Sequence, residues 1–161
     1  MIGGMIRQPD SRLSLLFDLF AANQQVRTLL ARALADSGLT PDEYAVYSIL
    51  FDEGPHAPSE LARRAGMPPT TMTHYVRSML DREHVERAPS SSDRRSYRLV
   101  LTPAGIAVHG RASQAFAEAH RRFIGALTVD EEEAGVVLRA IGRAATVAET
   151  RLAIDSVDVA G

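Results

Sequence analysis

Thr70, Thr71, Thr73, His74, Arg77 and Ser78 crowd hydroxyl, imidazole and guanidinium groups into one short stretch that opens with Pro69. Between them, Met72, Tyr75, Val76, Met79 and Leu80 recur at three- and four-residue steps, the mark of a helix with one apolar face. The polar side is small and uncharged apart from Arg77. Such a face approaches another surface closely, and its groups can bond phosphate oxygens or base edges. Helix starts also favour threonine, so an ordinary helix start is the plain alternative.

A second group lies at Asp93, Arg94 and Arg95, inside the stretch Ala88-Pro89-Ser90-Ser91-Ser92-Asp93-Arg94-Arg95, which has the composition of a turn. Two adjacent arginines repel each other and favour an anionic partner. A narrow minor groove is one such partner, and guanidinium groups suit it. A turn with solvated charges is the alternative.

The elements that must hold these groups can be read from their neighbours. Pro58 suits the first turn of a helix, Leu61, Ala62 and Ala65 share a face, and Gly66 supplies the stop. Pro69 then opens the polar-faced helix. Val85 and its neighbours read as one strand, and Ser96 to Leu101, with alternating Tyr97, Leu99 and Leu101, as its partner. His56-Ala57 is a candidate third strand beside them.

This helix–turn–helix, followed by the wing motif Asp93-Arg94-Arg95 and by Leu101-Thr102-Pro103-Ala104-Gly105, resembles the MarR family of winged-helix transcription regulators. The resemblance runs in order from about Ser11 to Arg151. It implies that the longer helix enters the major groove of double-stranded DNA. It also implies that Arg95, oriented by Asp93, enters the minor groove, with Arg94 at the variable middle position. The family usually has glycine where this chain has Glu83, so Glu83 must take a left-handed conformation or end the helix differently.

The resemblance further implies a homodimer, and a small, aromatic or anionic effector held between the DNA-binding part and the dimer helices. Phe17, Phe20, Tyr44 and Tyr47 are the candidates for such a pocket, with plain core as the alternative.

Composition agrees with a globular domain of 161 residues, 45% hydrophobic and 24% charged. The net charge is −2, yet Ser59–Arg98 holds eight arginines against five acids and the remainder is acidic. There is no cysteine, which excludes disulfides and thiolate metal sites and agrees with a cytoplasmic protein. No apolar run is long enough for a membrane span, and no secretory signal is expected.

The five histidines form no paired ligand spacing, and no nucleophile has a base partner. Neither a metal, a cofactor nor an enzyme is therefore expected.

The flanks read as long helices. Asp10 to Asp36 carries a broad apolar stripe, including Leu13, Leu16, Phe17, Phe20 and Val26, that a compact winged helix cannot cover. Thr40-Pro41-Asp42-Glu43 is a capping box that opens a second helix. Further helices are expected from Pro103 to about Ala126, and from a second capping box at Thr128–Glu131 to about Ile154.

The expected architecture is mainly α with a small β wing. Residues 40–101 form a winged helix-turn-helix, residues 10–36 and 103–154 form dimerisation helices, and loose ends lie at 1–9 and 155–161. A two-fold dimer would present two reading helices roughly 34 Å apart to a near-palindromic site. A winged helix used as a protein-interaction adaptor is the alternative function.

Overall fold

The computed structural model describes residues 11–89 and 97–158, with side chains from 15 to 155. The expected leader at 1–9, the wing tip with Asp93, Arg94 and Arg95, and the last three residues lie outside the described residues. The order is α1 (Ser11–Ala33), α2 (Pro41–Glu53), α3 (Pro58–Ala65), α4 (Pro69–Asp81), β1 (Val85–Pro89), β2 (Tyr97–Leu101), α5 (Pro103–Ala126) and α6 (Glu131–Asp158). Two compact units divide the chain, residues 1–119 and 120–161.

The first unit is built around α2, α4 and the hairpin. Leu34, Val46, Tyr47, Leu61, Met72, Met79 and Leu99 are fully enclosed in one core, with Val76, Val85, Val108 and Ala112 beside them. Glu43 and Thr40 close the capping box of α2, with the Thr40 amide 2.9 Å from the Glu43 carboxylate and the Glu43 amide 3.2 Å from Thr40 Oγ1. β1 and β2 pair antiparallel with Val85 opposite Leu101 and Pro89 opposite Tyr97. The expected third strand is a single bridge, His56 to Leu99.

Two residues past the end of α4, Glu83 takes φ 56°. The His84 amide bonds Met79 O at 3.0 Å and the Glu83 amide bonds Leu80 O at 2.9 Å, the paired closure that normally needs glycine at this position. A side chain in that conformation is strained by about 1 kcal/mol or more, part of which a flexible glycine returns as unfolded-state entropy. Glu83→Gly is therefore expected to raise stability by about 0.5–1 kcal/mol, read as a higher denaturant midpoint at unchanged slope. A lower midpoint would show that the Glu83 side chain contributes more than its backbone costs.

α5 opens on Thr102, whose Oγ1 accepts the Gly105 amide at 3.2 Å. Within the first unit, α5 packs on α2 through His109, which is 6% exposed. Its Nε2 lies 3.1 Å from Ser48 Oγ, and its ring lies between Tyr44 and Phe51, at 5.5 and 4.6 Å. Burial holds this imidazole below its ordinary pKa, so it stays neutral near pH 7.

The second unit holds the end of α5 and α6. Asp130 is the cap of α6: its Oδ1 accepts the Glu132 and Glu133 amides at 2.9 and 3.1 Å. The capping box expected at Thr128–Glu131 is thus corrected. The side chain that reaches the free amides is the acid next to them, not the threonine two residues earlier. α6 also continues to Asp158, so 155–158, expected as part of a loose tail, are helical.

Val136, Val137, Leu138, Val147, Leu152 and Ile154 are exposed along α6, as are Leu15, Leu16, Phe17, Phe20 and Val26 along α1. No helix among the described residues is long and apolar enough to cross a membrane.

Candidate nucleic-acid interface

The helix–turn–helix is set by two glycine and proline signals. Gly66 takes φ 63°, and the Met67 amide reaches back to Ala62 O at 2.9 Å, so α3 stops sharply. Pro69 is the first residue of α4 and forfeits no bond there. At the other end of α3, Glu60 accepts the Ala57 amide at 2.9 Å, and that bond holds its carboxyl below the usual range.

α4 buries Met72, Val76 and Met79 and turns its other side outward. Pro69, Thr70, Thr73, His74 and Arg77 are exposed, while Thr71 and Ser78 are half-buried at the edges of that face. The Thr73 hydroxyl donates to Pro69 O at 2.9 Å, which leaves its lone pairs and methyl facing out. Arg77 Nε lies 3.9 Å from the Asp81 carboxylate, with both side chains more than two-thirds exposed. Such a pair is weak and yields readily to a phosphate.

The sequence reading missed two residues of this surface. Arg87 on β1 lies over the Tyr97 ring on β2, 4.7 Å from its centre. Together with Thr73 and Arg77 they line a groove of about 680 Å³ between α4 and the hairpin, floored by Val76 and Leu80. The cross-strand pair Ala88 and Arg98, one step nearer the wing tip than Arg87 and Leu99, could not be placed from sequence without the register. Asp93, Arg94 and Arg95 lie beyond the described ladder, between Pro89 and Tyr97.

The count of eight arginines against five acids overstated the positive charge of this surface. Arg64 pairs with Glu53 and Arg82 with Glu43, two acids from outside the counted stretch. Arg98 is turned to Pro55 O, at 2.8 Å, and to Glu60, at 3.4 Å.

The four pocket candidates differ in exposure: Tyr47 lies in the core, Tyr44 at its edge, and Phe17 and Phe20 on the surface of α1. Tyr47 is fully buried, its hydroxyl 2.9 Å from His84 Nδ1, and burial pushes that hydroxyl up to about 12. It is a core residue and offers no surface to a ligand. Tyr44 is half-buried, its ring against Phe116 and its hydroxyl 3.4 Å from Ser113 Oγ. Phe17 and Phe20 stand exposed on α1. Among the described residues no three His, Asp or Glu side chains converge on a metal position.

Comparison with known proteins gives this geometry a family. The sequence model of the MarR family matches residues 39–97, from the start of α2 to the start of β2. An HTH-type transcriptional repressor of Mycobacterium tuberculosis is 30% identical over 114 residues, covering 71% of this chain and 82% of that one. A crystal structure of a probable transcriptional regulator from Pseudomonas aeruginosa is 30% identical, with a TM-score of 0.68 over 77% of this chain and 92% of that one.

A MarR mutant from Escherichia coli, solved in complex with operator DNA, shares the fold. Its TM-score is 0.73 at 22% identity, over 81% of this chain and 95% of that one. These relatives set aside the adaptor alternative. The chain belongs to the MarR family and is a winged helix-turn-helix regulator of transcription that binds double-stranded DNA.

Proposed function

We propose that two copies of this chain occupy a near-palindromic operator and repress transcription from it. α4 lies in the major groove, where Thr70, Thr71, Thr73, His74 and Arg77 meet base edges and Pro69 sets the approach. Arg95, aligned by Asp93 and flanked by Arg94, reaches the minor groove. Residues 40–101 are the DNA-binding part, and helices within 10–36 and 103–154 join the copies. The chain works in the cytoplasm, by occupying DNA and not by catalysis.

One observation carries this reading. The exposed side of α4 is polar, small and cationic, while its opposite side is sealed into the core by Met72, Val76 and Met79. A helix fixed on one side and bare on the other can lay its bare face in a major groove. The exposed apolar residues of α1 support the dimer, and the relatives named as repressors support the sign of regulation.

Release by a small aromatic or anionic effector belongs to the same reading. Tyr44, Phe17 and Phe20 supply the aromatic surface and Tyr47 does not. Such a ligand acts only by favouring one spacing of the two α4 helices over another.

Selection of bound fragments from random duplex DNA tests the whole. It should return an inverted repeat with half-sites about one helical turn apart. On that duplex Arg95→Ala should weaken binding to specific and random DNA alike and lower the salt slope by about one. An unchanged slope would remove Arg95 from the interface.

A further inference from the structure

The carboxylate of Asp42, in the first turn of α2, touches two other helices. Its Oδ1 accepts Arg27 Nη1 at 2.9 Å and its Oδ2 accepts Arg27 Nη2 at 3.0 Å, a two-pronged bond to α1. The same Oδ2 accepts the Tyr75 hydroxyl of α4 at 3.2 Å. The Arg27 bond holds the Asp42 carboxyl below its usual range, so it is ionised at neutral pH and acts purely as an acceptor. The next residue, Glu43, pairs with Arg82 just past the end of α4. Adjacent acids of α2 therefore hold α4 near its middle and at its end.

We propose that Asp42 is a positioning residue for DNA reading: one carboxylate joins Arg27 of α1 to Tyr75 of α4, so that the pose of the reading helix follows that of α1. The inference rests on the DNA-binding reading given above.

The Arg27–Asp42 pair is half-exposed and contributes little to stability as an ion pair. What it supplies is direction. A guanidinium fork fixes the plane of the carboxylate, and the remaining lone pair of Oδ2 then faces Tyr75. Tyr75 sits between His74 and Val76, where the exposed face of α4 meets the core.

The consequence is selective. Base-edge bonds need donors and acceptors placed to within tenths of an ångström. Arginine–phosphate attraction tolerates a shift of that size, and it dominates binding to random sequence. Loosening this strut should therefore lower discrimination between sequences and leave bulk affinity in place. A residue that merely stabilised the fold would move the melting temperature and both affinities together.

The test uses the full chain and three variants: Tyr75→Phe, Arg27→Met and the double substitution. Affinity for the duplex selected by the wild type is divided by affinity for a scrambled duplex of equal length at the same salt. Each single substitution should lower that ratio about three- to tenfold, the scale of one lost hydrogen bond. Scrambled-duplex affinity and melting temperature should stay near wild type. Because both residues act through Asp42, the double variant should fall no further than the weaker single.

Singles that keep the wild-type ratio, or a double that multiplies the two losses, would overturn the proposal. A wild-type ratio of one would sink the operator reading and this proposal with it. A high wild-type ratio unmoved by Tyr75→Phe sinks the strut alone.

Discussion

Gly105→Ala collapses the junction between the wing and α5, and the chain melts roughly 10 °C lower, the shift that about 3 kcal/mol produces in a domain of this size. A methyl group at Gly105 would lie 2.0 Å from the His84 carbonyl oxygen, 3.0 Å from its carbon and 3.1 Å from Leu101 Cδ2. Two of those three atoms are backbone and cannot rotate away.

Nor can the His84 segment shift. Its carbonyl accepts the Thr102 amide at 3.0 Å, its own amide bonds Met79 O at 3.0 Å, and its ring is bonded to buried Tyr47. The first turn of α5 is pinned in turn by Thr102, through the Gly105 and Ile106 amides. Overpacking usually costs about 1–3 kcal/mol, and a backbone clash held from both sides belongs at the upper end.

Gly110→Ala, on the same helix with nothing within 4 Å of the added carbon, is the control. It should raise the melting temperature slightly, because alanine is the better helix former. Equal shifts for the two variants would show that the contact at His84 is not what fixes Gly105.

Gly105 also shows why some of this protein is legible in sequence and some is not. Local signals act within a few residues. The Thr40–Glu43 box concerns amides next to the side chains that satisfy them, and Gly66 as a stop and Pro69 as a start concern the backbone of the residue itself; each is found where the sequence puts it. Glu83 belongs with them: the two routes open to it were a left-handed turn or a different ending, and the backbone takes the first.

Pairings across the fold leave no such trace. Arg82 meets Glu43 and Arg98 meets Glu60 over separations of 39 and 38 residues, so a charge count along the chain treats committed arginines as free ones. Tyr47 and Tyr44 lie on the same helix three residues apart. Only packing decides that the first is sealed and the second half-open. The cap of α6 failed for a smaller reason. Thr128 and Asp130 are both good capping residues, and composition does not choose between them where geometry does.

Leu16→Glu together with Phe20→Glu leaves the winged helix folded and abolishes operator binding at concentrations where the wild type is saturated. The two residues are one helical turn apart on α1 and are 68% and 59% exposed. In a lone chain, glutamates there meet water, and surface substitutions of this kind move stability by only about 0.5 kcal/mol.

In the proposed dimer the same side chains enter an apolar interface, and burying unpaired carboxylates there costs several kcal/mol. That cost exceeds what a modest interface can return, so the copies separate. One copy then grips one half-site and falls back towards non-specific affinity, a loss of at least about a hundredfold. Sedimentation equilibrium should report a monomer, and the wild type's melting temperature should rise with concentration while that of the variant does not.

A variant that stays dimeric would move the contact surface away from the start of α1. A monomer that keeps full operator affinity would be the graver result, because the two-fold arrangement would then have no part in recognition.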